Sequence, residues 1–181
     1  MTPLYVFGPK HATLDQYAAS LVFAEFLKEF GANAHAISLT EPSEYIQAVL
    51  KKFDLDPLPV KPEIGQEEGR AALIGHTDSQ GLPINTILLN QEVQNLTVEN
   101  PIHFLNVPYD SFGSELLDLY QGRNFTLSKN LGSLLLAGAI DATENYTTAV
   151  GGYYDKLYSE NLAKAAGLDI DTLAKELEAL K

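Results

Sequence analysis

A regular alternation of strand and helix signals runs through this chain and constrains its fold more than any other feature. Leu4–Gly8 is a short apolar run that ends at a glycine, and Thr13 with Gln16 then forms a capping-box pair that opens a helix. The helix is predicted to run to Phe30 and to end at Gly31, the residue type that most often follows a helix. This strand–turn–helix unit is typical of a parallel sheet with helices packed on it.

The same alternation continues to the C-terminus. We expect strands at residues 3–8, 32–39, 71–75, 85–89 and 102–107. We expect helices at residues 13–30, 42–53, 113–121, 128–141, 151–166 and 170–180. Residues 54–70, with several prolines and glycines, are predicted to form a surface connection. The sequence therefore predicts an α/β fold: three layers, a mostly parallel five-stranded sheet with helices on both faces, and additional helices at the C-terminus.

Composition limits the partners of the chain. The net charge of −12 disfavours binding to nucleic acid or to an anionic membrane, because both depend on Lys and Arg neutralising phosphates. The absence of cysteine excludes disulfides, thiolate metal sites and thiol nucleophiles. No basic segment followed by an apolar segment opens the chain, and no apolar run reaches the length of a membrane span, so we expect a cytoplasmic protein.

Five short segments carry a resemblance to a known family. They are Val6-Phe7-Gly8 leading into the first helix, Leu73-Ile74-Gly75-His76-Thr77, Leu88-Leu89-Asn90-Gln91-Glu92, Leu134–Ile140 followed by Tyr146-Thr147-Thr148, and Leu162–Asp169. In order and spacing these segments resemble the N-terminal domain of the manganese-dependent (family II) inorganic pyrophosphatases, which are members of the DHH phosphoesterase superfamily. The resemblance implies a single DHH-like domain over residues 1–181, without the C-terminal domain that clamps the substrate in that family.

The resemblance also indicates where the family binds its metal ions. The family motif Gly-His-x-x-Pro-Asp-x-Asp falls on residues 8–15, where its His is Pro9, its first Asp is Thr13 and only its second Asp survives, as Asp15. The other family ligands fall on Gly75, Asn90, Gln91, Glu92 and Ala142. Asp141 precedes the last of these by one residue, which turns its side chain about 100° around the helix. Because a cation pair needs several anionic or imidazole ligands, the substitutions predict an inactive site with no catalytic residue and no cofactor.

A relocated single-metal site is the alternative. Five potential ligands lie on or near the carboxyl ends of the predicted strands, where open α/β sheets bind ligands: His11, Asp15, His76, Asp78 and Asp141. Four of them would be enough to hold one Mn²⁺ or Zn²⁺ ion. None shows a tight spacing such as two histidines one helical turn apart, so the interpretation of these residues as ordinary polar loop residues is favoured.

Two classes of function remain open. The sequence favours a pseudoenzyme, an acidic pyrophosphatase-like protein that acts as a self-assembling or partner-binding structural or regulatory module. The alternative is a metal-dependent phosphoesterase or diphosphate hydrolase with a rebuilt single-metal site, or a subunit completed by another chain. The fifth strand is predicted to lie at a sheet edge, which invites pairing with another copy. The resemblance implies a homodimer formed through this domain, and a protein partner is the other expectation.

Overall fold

The computed structural model describes residues 1–65, 68–91, 93, 96–120, 123, 125–147 and 152–181. Its strands are β1 (Leu4–Phe7), β2 (Ala34–Ala36), β3 (Arg70–Ile74), β4 (Ile84–Leu89) and β5 (His103–Asn106). Its helices are α1 (Leu14–Glu29), α2 (Glu44–Lys52), α3 (Phe112–Tyr120), α4 (Lys129–Ala142), α5 (Gly152–Ala166) and α6 (Ile170–Glu178). Every predicted element is present within a few residues of its expected bounds, which confirms the α/β class.

The five strands form one sheet in the order β2-β1-β3-β4-β5, and each neighbouring pair is parallel. Leu4 of β1 is in register with Ala34 of β2 on one side and with Arg70 of β3 on the other. β5 lies at one edge of the sheet, as the sequence predicts. Because all strands run the same way, their carboxyl ends meet at a single edge, where α/β sheets bind their ligands.

α1 begins and ends as predicted. The Gln16 N–H donates to Thr13 Oγ1 at 3.3 Å, and Gln16 Oε1 accepts the Thr13 N–H at 3.0 Å, so the capping box is complete. Gly31 follows the helix with a φ of +83°, the left-handed conformation that favours glycine. These caps fix the start of α1 beside the carboxyl end of β1 and place Asp15 at the edge of the sheet.

One face of the sheet carries the larger core. Val6, Ile74 and Leu88 belong to a cluster that takes buried side chains from all six helices. α1 lies directly on β1, β2 and β3 and packs against α3 and α4 on its other side, while α4 contacts α5 and α6. The helices thus form two layers on this face, and with the sheet they make three. No helix in the described ranges is long and apolar enough to cross a bilayer.

The sequence predicts helices on both faces of the sheet, but the described residues that pack on the opposite face are not helical. Phe7, Leu73 and Ile87 lie in a second buried cluster, whose other members come from strands and connecting segments: Ile37, Leu39, Ile64, Ala71, Leu82 and Leu89. No helical residue of the described part belongs to it. Between β3 and β4 the chain instead makes a turn in which Gln80 and Gly81 have positive φ, a conformation that interrupts a right-handed helix. Loops therefore cover this face.

Candidate functional site

The candidate site lies where the carboxyl ends of β1, β3 and β4 meet the start of α1. The turn after β1 carries Pro9 and His11, the turn after β3 carries Gly75 and His76, and Asn90 follows β4 directly. The start of α3 lies against the same edge, because the Phe112 N–H binds Asp15 and the carbonyl oxygen of Asp110, two residues before the helix, accepts from Asn90. The parallel sheet therefore brings together most of the positions that the sequence singled out.

Asp15 is the buried carboxylate of this edge, with only 3% of its surface exposed. The Phe112 N–H donates to Asp15 Oδ2 at 2.7 Å, and the Gly113 N–H donates to Asp15 Oδ1 at 3.3 Å. Burial raises the pKa of Asp15 to about 7, although the two backbone N–H groups act in the opposite direction. Both carboxylate oxygens therefore face the N-terminus of α3.

Gly75, where the resemblance predicts a family carboxylate, has no room for a side chain in the present packing. Its φ is +76°, and a Cβ built on it would lie 2.5 Å from Gln16 Nε2 and 3.1 Å from the ring of Phe112. Gln16 is held there because its other amide atom closes the capping box of α1. The space in front of β3 is thus filled by side chains of α1 and α3.

The positions after β4 make local hydrogen bonds. The Asn90 side-chain amide donates to the Asp110 carbonyl oxygen at 3.3 Å, and the carbonyl oxygen of the exposed Gln91 accepts from the Asn106 side chain at 3.0 Å. These bonds tie the end of β4 to the segment before α3 and to β5. Glu92, the third predicted residue here, lies outside the described residues.

Thr13, Pro9 and Ala142 are the other positions where the resemblance predicts metal ligands, and of these Thr13 has a clear structural role. Thr13 is the N-cap of α1, and Pro9 is half-buried in the turn before it. Ala142 is the last residue of α4 and is half-buried. The neighbouring Asp141 accepts the Tyr45 hydroxyl at 3.3 Å and forms an ion pair with Lys181 at 2.9 Å. Asp141 is therefore bound to a phenol and an ammonium group.

The two histidines of the alternative metal site have different environments: His76 makes local hydrogen bonds, and His11 is exposed. His76 Nε2 donates to the Phe7 carbonyl oxygen at 3.1 Å, which leaves Nδ1 as the acceptor of the Asp78 N–H at 3.3 Å. Burial lowers the pKa of His76, so its neutral form is favoured. The Asp78 carboxylate accepts the backbone N–H of Gln80 at 3.0 Å and its side-chain amide at 2.7 Å. His11 is exposed in the turn after β1.

Two further carboxyls of this region were not found from the sequence. Asp155, on α5, is fully buried and accepts the Asp110 N–H at 3.0 Å, the Ser111 N–H at 3.2 Å and the Ser111 hydroxyl at 3.0 Å. Glu115, on α3, is 1% exposed, and the described residues give neither of its oxygens a hydrogen-bond partner. Burial first, and then the charge of Asp15, raise the pKa of Glu115 to about 8. The only sequence signal for Asp155 and Glu115 is that each is an acidic residue at a position of its helix that is expected to be buried.

The described residues of this edge, which do not include Glu92, do not fit a pair of divalent cations. Among the described residues, no three His, Asp or Glu side chains come close enough together to hold one metal ion. Both carboxylate oxygens of Asp15 accept hydrogen bonds from backbone N–H groups. Gln16 and Phe112 occupy the space that a side chain at position 75 would need. Pro9, Thr13 and Ala142 supply neither an anion nor an imidazole, the donors that Mn²⁺ and Zn²⁺ require.

Comparison with known proteins finds sequence similarity to probable manganese-dependent inorganic pyrophosphatases. No protein-family model matches it. A probable manganese-dependent inorganic pyrophosphatase of Listeria welshimeri is 24% identical over 184 residues, which cover 98% of this chain and 60% of the relative. The corresponding protein of Streptococcus mutans is 26% identical over 179 residues, which cover 94% of this chain and 57% of the relative. The chain thus spans about 60% of the length of the curated relatives it matches.

Solved structures agree on the fold. A Methanococcus jannaschii protein assigned to the family II inorganic pyrophosphatases superposes with a TM-score of 0.85 at 23% identity, covering 98% of this chain and 61% of that one. An exopolyphosphatase-related protein of Bacteroides fragilis superposes with a TM-score of 0.68 at 12% identity, covering 97% and 56%. The homologues of this chain are manganese-dependent inorganic pyrophosphatases of family II, and its five-stranded α/β fold matches their N-terminal domain.

Proposed function

We propose that this chain is a non-catalytic relative of the manganese-dependent pyrophosphatases that acts as a self-assembling or partner-binding module. The observation that carries the proposal is the filled edge of the sheet. Gln16 and Phe112 occupy the space where a carboxylate at position 75 would extend, and Asp15 binds backbone instead of facing an open cleft. Without a cation pair no group there lowers the pKa of an attacking water or offsets the charge of a diphosphate.

The proposed assembly uses the free edge of β5. No strand of the described part of the chain pairs with its outer side, and Phe104 on this strand is 43% exposed. An exposed edge strand with an apolar side chain favours pairing with another strand, and a second copy supplies the same edge. We therefore propose a cytoplasmic homodimer that joins two sheets through β5.

Hydrolysis of pyrophosphate tests the catalytic part of the proposal. Phosphate release is measured with purified protein and Mn²⁺, Mg²⁺ or Co²⁺ in turn. We expect no turnover above the rate without protein, because the ligand set for the cations is missing. A rate near one per second, at the lower end of ordinary enzymes, would refute the proposal.

Sedimentation of two matched variants tests the assembly. Phe104→Glu places a charge on the β5 edge and is expected to give a monomer. Phe30→Glu changes another exposed phenylalanine, 58% exposed at the end of α1, and is expected to leave the dimer intact. A wild-type protein that stays monomeric at high concentration, or a dimer that persists in Phe104→Glu, contradicts the β5 interface.

A hydrolase with a single rebuilt metal site is the second candidate. It is supported by the names of the relatives, which are manganese-dependent pyrophosphatases, and by the exposed position of His11 and Asp78 near the strand ends. The same candidate includes a subunit whose site is completed by another chain. Metal analysis of the purified protein and a panel of phosphate esters separate it from the first proposal. Bound Mn or Zn that is lost in His11→Ala or Asp78→Ala, together with ester hydrolysis, would favour this candidate.

A further inference from the structure

The first turn of α3 is held by side chains from two other helices. Asp15 of α1 accepts the N–H groups of Phe112 and Gly113, and Asp155 of α5 accepts those of Asp110 and Ser111. The amides of Ser111, Phe112 and Gly113 are among the groups that a helix leaves without an internal partner at its N-terminus, and the Asp110 amide directly precedes them. Carboxylates far apart in sequence therefore act together with the local cap that Ser111 provides for this helix.

Ser111 provides a local cap for α3 in addition to the two carboxylates. The Ser114 N–H donates to Ser111 Oγ at 3.1 Å, and the Ser111 hydroxyl in turn donates to Asp155 Oδ1 at 3.0 Å. Ser111 and Asp155 are both fully buried. Each amide from residue 110 to residue 114 thus has an acceptor, and none of these acceptors is exposed to solvent.

The N-terminus of α3 supplies what a buried carboxylate needs. A helix N-terminus carries about half a positive charge, and its N–H groups make charge-assisted hydrogen bonds to anions. A buried carboxylate without a cation or such donors would lose several kcal/mol of solvation. At Asp15 this stabilisation comes from the protein backbone, while Gly138 of α4 packs so closely that its Cβ would lie 3.2 Å from Asp15 Oδ1. The carboxylate is therefore in contact with both α3 and α4.

We infer that the N-terminus of α3 has replaced the metal ion as the ligand of Asp15, so that Asp15 and Asp155 form a two-carboxylate latch that joins α1, α3 and α5. The residue that survives from the family's ligand set is therefore a positioning residue of the fold. The inference does not depend on whether the chain turns over a substrate.

Thermal unfolding and amide exchange of matched variants test the latch. Asp15→Ala is expected to lower the melting temperature by roughly 4 to 8 °C, and Asp155→Ala by a similar amount. Asp15→Asn keeps one acceptor oxygen, so it is expected to fold and to lose less. Asp56→Ala, which removes an exposed carboxylate after α2, is the control and is expected to change little.

Two readouts separate a latch from a metal ligand. Hydrogen exchange at residues 110–114 is expected to speed up in Asp15→Asn while exchange in β1 and β3 stays slow. The melting temperature of the wild type is expected to be the same with excess EDTA and with millimolar Mn²⁺. A rise with Mn²⁺ that disappears in Asp15→Asn would overturn the inference, as would unchanged exchange at residues 110–114 in both Asp15 variants. Pyrophosphate turnover with unaltered latch behaviour would contradict only the proposed function.

Discussion

Gly138 of α4 lies against the backbone of Asp15: a Cβ at position 138 would be 2.8 Å from Asp15 Cα and 3.3 Å from Asp15 N. α4 therefore meets α1 at a point where neither helix has space for a side chain between them. This close approach adds a steric contact with α4 to the hydrogen bonds that Asp15 accepts from the start of α3. A glycine in the middle of a helix normally weakens it, so the packing is the physical reason for glycine at this position.

We predict that Gly138→Ala destabilises the protein by about 1 to 3 kcal/mol, because the added methyl group meets backbone that cannot move aside. Gly132→Ala on the same helix is the matched control, since its Cβ would meet only the end of Leu162 at 3.3 Å. Alanine is the better helix former, so the control is expected to be neutral or slightly stabilising. Urea unfolding measures both. Equal stability of the two variants would show that α4 does not press on Asp15.

Local features of this fold were predictable from the sequence. Thr13, Gln16 and Gly31 define α1 because caps depend on residues close together in the chain. The order of strands and helices followed from apolar periodicity, and β5 was predicted correctly as an edge. That Asp15 is a remaining family ligand and that positions 9, 13 and 75 have lost theirs stays a prediction from the resemblance.

Long-range features were not predictable. Asp15 binds amides almost a hundred residues away, and Asp155 reaches α3 from α5, so no local spacing relates these groups. The sequence also placed helices on both faces of the sheet, because alternation alone does not show on which side a connection passes. The turn at Glu144 and Asn145 has positive φ without glycine, so the only signal of a left-handed conformation in these two residues is Asn145, a residue type that adopts it occasionally.

Glu115 gives the protein an expected pH dependence. Its pKa is about 8 in the folded protein and near 4.5 in the unfolded chain, so the folded state binds the extra proton. The stability that this group contributes is complete below pH ~4.5 and is lost as the pH rises through about 8. Asp15, whose pKa is raised from 3.8 to about 7, acts in the same direction over a lower range. We therefore expect the free energy of unfolding to fall from mildly acidic to mildly alkaline pH.

Glu115→Leu is predicted to remove the contribution of Glu115 to the pH dependence of stability. At pH ~8.5 the variant is expected to be more stable than the wild type by on the order of 2 kcal/mol, because an unpartnered buried carboxyl is replaced by an apolar group. The gain is expected to shrink towards pH ~5, where the wild-type carboxyl is neutral. Glu29→Leu, at an exposed position of α1, is the control. Denaturant unfolding across this pH range measures the effect, and parallel pH profiles for wild type and Glu115→Leu would contradict it.

The turn after α4 holds backbone strain that glycine would relieve. Glu144, Asn145 and Tyr146 have φ of +48°, +55° and +64°, and each left-handed residue with a side chain costs roughly 1 kcal/mol or more. Glu144 is exposed, so Glu144→Gly is predicted to stabilise the protein by about 1 kcal/mol. Glu144→Ala removes the same charge but keeps the Cβ, and it is expected to have little effect. If both variants are equally stabilised, charge rather than backbone conformation is the cause.

Restoring a carboxylate at position 75 tests whether the edge of the sheet is filled. Gly75→Asp is predicted to destabilise the protein by roughly 2 to 4 kcal/mol, because its φ of +76° is strained for any side chain and its Cβ meets the Gln16 amide. Gly31→Asp has a similar φ of +83° but open space around its Cβ, so it measures the backbone strain alone. The difference between the two is the steric contribution of Gln16 and Phe112.

The double variant Gly75→Asp/Gln16→Ala shows whether that contribution comes from the amide. Truncating Gln16 removes the atom at 2.5 Å, so the double variant is expected to recover part of the stability lost in Gly75→Asp. The recovery is expected to be incomplete, because Gln16 also closes the capping box of α1. Urea unfolding gives the stabilities, and titration calorimetry with Mn²⁺ follows cation binding. A Gly75→Asp protein that is as stable as Gly31→Asp and binds Mn²⁺ tightly would mean that the strand ends are open and able to accept a metal ion.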